Sequence, residues 1–346
     1  MNKFNQAPSG GRSNGPTGWE SVESMAGNYP QSKDYIDPAK FEKPSENLNT
    51  INSAVKAYLR CDPDKQNSYY NEVMTSGTER WYPQIKAYQT PAKDKFDKRC
   101  FEEWKQNIIA MDAQTAFNKY GRGKAFDALK KIHNFLKSGG KATNQTELLN
   151  KCFSQDDDGF DAAHDYLKYD KRSDAGWWYY SSKDEKLGME DHARANGRLY
   201  LNAEPMDTFE IANQFVDACK EAGLPYEFKI NKHQNRSDAM VFYINNNNIT
   251  DYVGILSKVL EDDPGIGKRI GPPPMLTEKI TRKIGYGNET GGMSYNDRQC
   301  ANFQHTIESV VNAFRGPAPQ GSTHSRAKYL YSTRPDQFIN VIKDNL

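Results

Sequence analysis

Cysteine is sparse and badly spaced for structural chemistry. Five occur, at positions 61, 100, 152, 219 and 300, an odd number with no CxxC pair. That pattern argues against both a disulfide framework and a structural zinc site, and favours a reducing compartment during synthesis. An excess of one charge is missing too: 46 basic and 45 acidic residues leave a net +1. No global field therefore draws in nucleic acid or an anionic membrane, and any charged partner must be recognised locally. No window approaches the run of about 18 apolar residues that a membrane span requires, and mean hydropathy is -0.89. The first basic residue is not followed by an apolar segment, so no Sec-type signal is expected. These absences predict a cytoplasmic protein with no nucleic-acid or membrane partner. Export through a non-Sec pathway that reads a polar leader is the alternative.

What is present divides into three stretches of different texture. Residues 1–50 set Gly10, Gly11, Gly15, Pro16, Pro30, Pro38 and Pro44 among Ser, Asn and Lys, the composition of a disordered or flexible leader. Residues 51–189 read as mostly helical. Ile51, Val55, Tyr58 and Leu59 form one amphipathic stretch, Phe101, Trp104, Ile108 and Met111 another, and residues 125–136 a third that Gly139-Gly140 stops. His133 falls among the apolar positions of that third helix and reads as a partly buried core residue. Asp156 to Asp158 put three carboxylates in a row without the alternating ligands of an EF-hand, and read as a solvated turn before a helix carrying Phe160, Ala163 and Tyr166. The run Gly176 to Tyr180, GWWYY, reads as core or domain seam.

Residues 190–346 read as an α+β domain. Residues 198–203 alternate, with Leu199, Leu201 and Ala203 on one face and Arg198, Tyr200 and Asn202 on the other. A helix over 207–222, strands at 226–230 and 239–244, and a helix over 249–261 follow. That order predicts a mainly antiparallel sheet with helices packed on one face, preceded by the mostly helical region. Lys229 sits between Phe228 and Ile230 and so faces away from the core. Arg236 and Asp238 stand in the turn just after it. In residues 271–295, Gly285, Gly287, Gly291 and Gly292 permit close approach of backbone amides to an anion, with Lys279, Arg282 and Lys283 supplying charge. Arg298 opens a helix whose inner face is Cys300, Phe303, Ile307, Val310 and Phe314, and a helix N-terminus with a guanidinium favours phosphate.

Four segments, GRLYLNAEP (197–205), AGLPYEFKI (222–230), NRSDAMVFYI (235–244) and GYGNETGGMSYNDRQC (285–300), resemble the HopA-type effector family, which includes the lyase components of class V lanthipeptide biosynthesis. The resemblance spans roughly residues 190–315. It implies chemistry like that of the phosphothreonine lyases: β-elimination of phosphate from phosphoserine or phosphothreonine to leave a dehydroamino acid, with no metal or other cofactor. It also implies Lys229 as the base and Arg236 and Arg298, joined by Arg282, on the phosphate. Arg198, Asp238 and Lys279 complete the candidate phosphate and substrate contacts. Phosphothreonine lyases use a histidine acid on the first strand, where this chain has Tyr200. The acid is thus open among Tyr200, Lys279, Tyr243 and His233. The chain lacks kinase motifs, so a separate kinase must phosphorylate the peptide substrate, a lanthipeptide precursor. The other readings are a secreted effector that binds host or chaperone proteins, and a phosphopeptide-binding module.

Overall fold

Residues alternate between an apolar and a polar side along Gly197–Leu201, and the computed structural model makes this stretch one strand of a seven-stranded sheet. The structure describes residues 41–76, 84–111, 123–154, 170–173, 176–182, 195–232, 235–289, 294–315 and 320–346. The strands are β1 (Asp170–Ser173), β2 (Trp177–Ser181), β3 (Gly197–Leu201), β4 (Glu227–Asn231), β5 (Met240–Ile244), β6 (Glu278–Lys279) and β7 (Ile284–Asn288). They lie in the order β1-β2-β4-β5-β3-β7-β6, every neighbouring pair antiparallel. Eleven α-helices complete the described residues. The first five are α1 (Leu48–Arg60), α2 (Ser68–Thr75), α3 (Ile85–Ala110), α4 (Lys124–Lys137) and α5 (Gln145–Cys152). Then come α6 (Thr208–Glu221), α7 (Ile249–Asp262), α8 (Pro264–Arg269), α9 (Tyr295–Ala313), α10 (Thr323–Thr333) and α11 (Pro335–Asp344). The fold is α+β, as the sequence pattern predicts.

The apolar face of the sheet is the main core. Leu199, Leu201, Phe228, Ile230, Met240 and Phe242 point to one side, where Phe209, Phe215 and Val216 of α6 and Val253 and Leu256 of α7 cover them. Helix α6 forms because Phe209, Ala212, Phe215, Val216 and Cys219 recur at helical spacing, and it ends where Gly223 takes φ +65°. Helix α3 adds Phe96, edge-on to Tyr180 with ring centroids 4.9 Å apart. Burial of each such phenylalanine contributes about 1.5–3 kcal/mol.

Two further clusters organise the helices. Phe101 and Trp104 of α3 pack with Leu129 and Ile132 of α4 and Leu148 of α5. More telling is the third cluster, in which Ile51, Val55 and Val73 of α1 and α2 interleave with Phe303, Ile307, Leu330 and Ile342 of α9, α10 and α11. Residues from the stretch read as a helical N-terminal region thus share a core with the end of the chain, and β1 and β2 from that same stretch join the sheet. Phe41 is buried against Tyr286, with centroids 5.3 Å apart, and α1 begins at Leu48, both within the span read as a leader. Residues 1–40, the three aspartates at 156–158 and the helix expected after them lie outside the described residues.

Candidate functional site

The sheet face opposite the main core carries the chemistry. Register places Tyr179, Lys229, Val241, Tyr200 and Gly285 side by side across five strands. In the adjacent row Arg198 stands between Tyr243 and Gly287. Strand β4 lies between β2 and β5, so Lys229 is not an edge lysine of the kind that discourages aggregation. Its Nζ is 4.2 Å from the Trp177 ring centroid, 5.7 Å from that of Tyr179 and 5.8 Å from that of Tyr243. The GWWYY run explains this cage. As strand β2 it sends Trp178 and Tyr180 into the core and leaves Trp177 and Tyr179 beside Lys229.

Next to the cage, Arg198 Nη2 donates to Glu289 Oε1 at 2.7 Å, with the two side chains only 14% and 13% exposed. The Arg198 guanidinium also lies 4.9 Å from the Tyr243 ring centroid. Burial raises the Glu289 carboxyl above its usual range, against the opposing pull of Arg198, Arg298 and Lys229. Arg298, in the first turn of α9, donates to the Asn288 carbonyl at 2.7 Å and lies over Tyr295. Helix α9 begins at Tyr295, with Ser294 as its cap, three residues ahead of the start read from sequence. Tyr200 is 1% exposed, and its hydroxyl finds no partner at hydrogen-bonding geometry although Arg198 lies beside it. Burial pushes its pKa far up, so the phenol keeps its proton. Arg198 Nε and Glu289 Oε2 are buried without partners as well.

Arg236 and Asp238 occupy the far side of the cage. Arg236 Nε and Nη2 donate to the two Asp238 oxygens at 2.7 and 2.9 Å, and Nη2 also donates to Tyr70 Oη at 2.7 Å. The guanidinium lies 5.6 Å from the centroid of Trp177, the ring that also faces Lys229. Burial, reinforced by Asp238, pushes the Tyr70 phenol up to about 12 against the opposing effect of Arg236. This turn is fixed from behind, where the Ser237 backbone amide donates to the Met74 carbonyl of α2 at 2.8 Å. The sequence reading of Arg236 as a phosphate ligand therefore meets a guanidinium already held by a carboxylate.

Register carries the same row one strand further, from Gly285 to Lys279, which is exposed on β6 two strands from Tyr200. Arg282, exposed in the bend that follows, is not brought to this row. The glycine-rich reading also changes. Gly285 and Gly287 belong to β7, and side chains approach them rather than an anion: a Cβ on Gly285 would lie 2.4 Å from Thr277 Oγ1, and one on Gly287 2.6 Å from the Tyr295 ring. Gly287→Ala is accordingly expected to lower stability by about 1–3 kcal/mol in a urea melt, because Tyr295 must shift. A cost near zero would mean that the ring is not seated against this strand. Gly291, Gly292 and His233 lie outside the described residues.

Sequence reasoning missed Glu289, Trp177, Tyr179 and Tyr70. Glu289 lies inside the quoted GNET segment, whereas residues 177–181, WWYYS, offer no alternation in sequence that would single out the two aromatics.

No family model matches this chain, and no curated protein matches it. Among solved structures, it is similar to the effector protein from Pseudomonas syringae pv. tomato strain DC3000, with 14% identity over 71% of this chain and 94% of that one and a TM-score of 0.29. No helix among the described residues is long and apolar enough to cross a membrane.

Proposed function

We propose that this chain is a phosphoserine/phosphothreonine lyase that acts by β-elimination on a peptide phosphorylated by a separate kinase. One observation carries the reading: Lys229, Arg198, Tyr200 and Glu289, with Arg298 beside them, meet on one side of a single sheet. A base, a proton donor and two guanidinium groups are the parts that elimination of phosphate requires. Arg198 takes the role that the sequence reading gave to Arg236, because Glu289 holds Arg198 through one bond and leaves its Nε without a hydrogen bond, whereas Asp238 holds Arg236 through two.

In the proposed reaction the neutral Lys229 amine removes the Cα proton, and that C–H electron pair becomes the Cα=Cβ double bond. The Cβ–O bond breaks with its electrons on the phosphate oxygen, which takes a proton from Tyr200 and departs as hydrogen phosphate between Arg198 and Arg298. Proton return from the Lys229 ammonium to the tyrosinate through solvent resets both groups. Arg236 and Arg198 share aromatic rings with Lys229, so the base and the two guanidinium groups stand around one aromatic cage. The resemblance of the quoted segments to the lyase members of the HopA-type family supports a lanthipeptide precursor as substrate.

Incubation with a phosphothreonine peptide tests this directly. The expected product has lost phosphoric acid by mass. Loss of phosphate with water retained would instead identify a hydrolase, and unchanged mass with measurable binding would identify a phosphopeptide-binding or effector-type protein; either result overturns the lyase reading.

A further inference from the structure

Where Glu289 sits, three buried polar atoms of the described residues lack a hydrogen-bond partner. Arg198 Nη2 bonds one of its oxygens at 2.7 Å, Lys229 and Arg298 act on the same carboxylate, and its second oxygen has no partner. Arg198 Nε and the Tyr200 hydroxyl, two donors beside it, have no partner either. The carboxylate is thus paired with Arg198 and leaves two buried donors without a hydrogen bond. A phosphate brings about two charges and three oxygens to the same groups.

We propose that Glu289 is an internal counter-anion in the phosphate seat, displaced by a dianion but not by another carboxylate, so that it selects phosphorylated over acidic residues. The proposal rests on the phosphate-site reading above. An incoming glutamate would exchange one carboxylate for another, gain no charge, and still bear the cost of ordering the peptide. An incoming phosphate adds charge and reaches Arg198 Nε and Tyr200 Oη, which the glutamate leaves unmatched. Only the side chain has to move. The Glu289 backbone amide donates to the Asn196 carbonyl at 2.9 Å and holds the end of β7 in place.

Calorimetric titration of the full chain tests it with two peptides of one sequence. One carries the methylene-phosphonate analogue of phosphothreonine, which cannot eliminate, and the other carries glutamate at that position. The wild type is expected to bind the phosphonate and to discriminate strongly against glutamate. Glu289→Gln keeps the shape and removes the charge, so affinity for the glutamate peptide should rise about tenfold or more, the size of one lost like-charge contact in a half-buried site. Glu289→Asp should keep the discrimination. If Glu289→Gln weakens both peptides alike, the carboxylate merely holds Arg198 and the proposal fails; an unchanged affinity ratio also overturns it.

A measurement on the wild type avoids dependence on the folding of a variant. The carboxyl ¹³C resonance of Glu289 should move as inorganic phosphate saturates the protein, and a resonance that stays fixed overturns the proposal. All these readouts are binding events. Binding without elimination of a phosphothreonine peptide would therefore remove the lyase reading and leave this one standing, whereas an unmoved Glu289 with active elimination would do the reverse.

Discussion

Lys229→Ala is expected to slow formation of the dehydroamino acid by roughly 10²–10⁴-fold at saturating phosphopeptide, the usual contribution of a positioned general base. Peptide affinity should fall much less, because Arg198 and Arg298 remain. The argument rests on position. Lys229 is in an interior strand, its Nζ 4.2 Å from the Trp177 centroid, and it shares that ring with Arg236. Lys229→Arg would keep a cation in the cage yet supply no neutral amine at ordinary pH, so it should be nearly as slow as the alanine variant. If the arginine variant retained most of the rate, Lys229 would be a phosphate contact and the proton acceptor would lie elsewhere.

Asp238→Ala is expected to be the most destabilising single change at this face, costing about 3–5 kcal/mol. Arg236 and Asp238 are only 9% and 5% exposed and are joined by two hydrogen bonds, so removal of the carboxylate strips a buried guanidinium of both. Asp238→Asn keeps an acceptor and should cost less. Chemical denaturation followed by tryptophan fluorescence gives both values, and a loss below about 1 kcal/mol for the alanine variant would show that the pair is well solvated. Because the Arg236 guanidinium also packs on Trp177, the same variant should disturb the Lys229 cage and slow catalysis even in the fraction that stays folded.

Much of the framework could be read from local pattern. Strands β3, β4 and β5 alternate cleanly, and α6 and α7 repeat their apolar residues at helical spacing, so each of those five elements declares itself within its own residues. The elements that escaped depend on distant partners. Strand β7 contains Gly285 and Gly287, which look like loop residues until Thr277 and Tyr295 are seen packed against them. Strand β2 is aromatic on both faces, so its period is hidden until one face meets the core and the other meets Lys229. The site behaves the same way. Lys229, Arg198 and Tyr200 were visible because a strand sorts its side chains by parity. Glu289 was not, since its surroundings come from β3, β4 and α9, and no spacing within one segment encodes that meeting.

The union of the chain's early and late helices carries a consequence for the order of assembly. Tyr331 donates to Asn52 across 279 residues and Ser237 to Met74 across 163. Contacts of such long range close slowly, because most of the chain's freedom is lost before they form. On a ribosome, α1 and α2 must wait for α9, α10 and α11 before they can bury their apolar sides. Tyr70, which touches Arg236, and Arg298, which attends Glu289, ride on helices of that late-closing unit. The sheet can therefore mature first, and the pocket at its polar face acquires its full set of charges only near the end of folding.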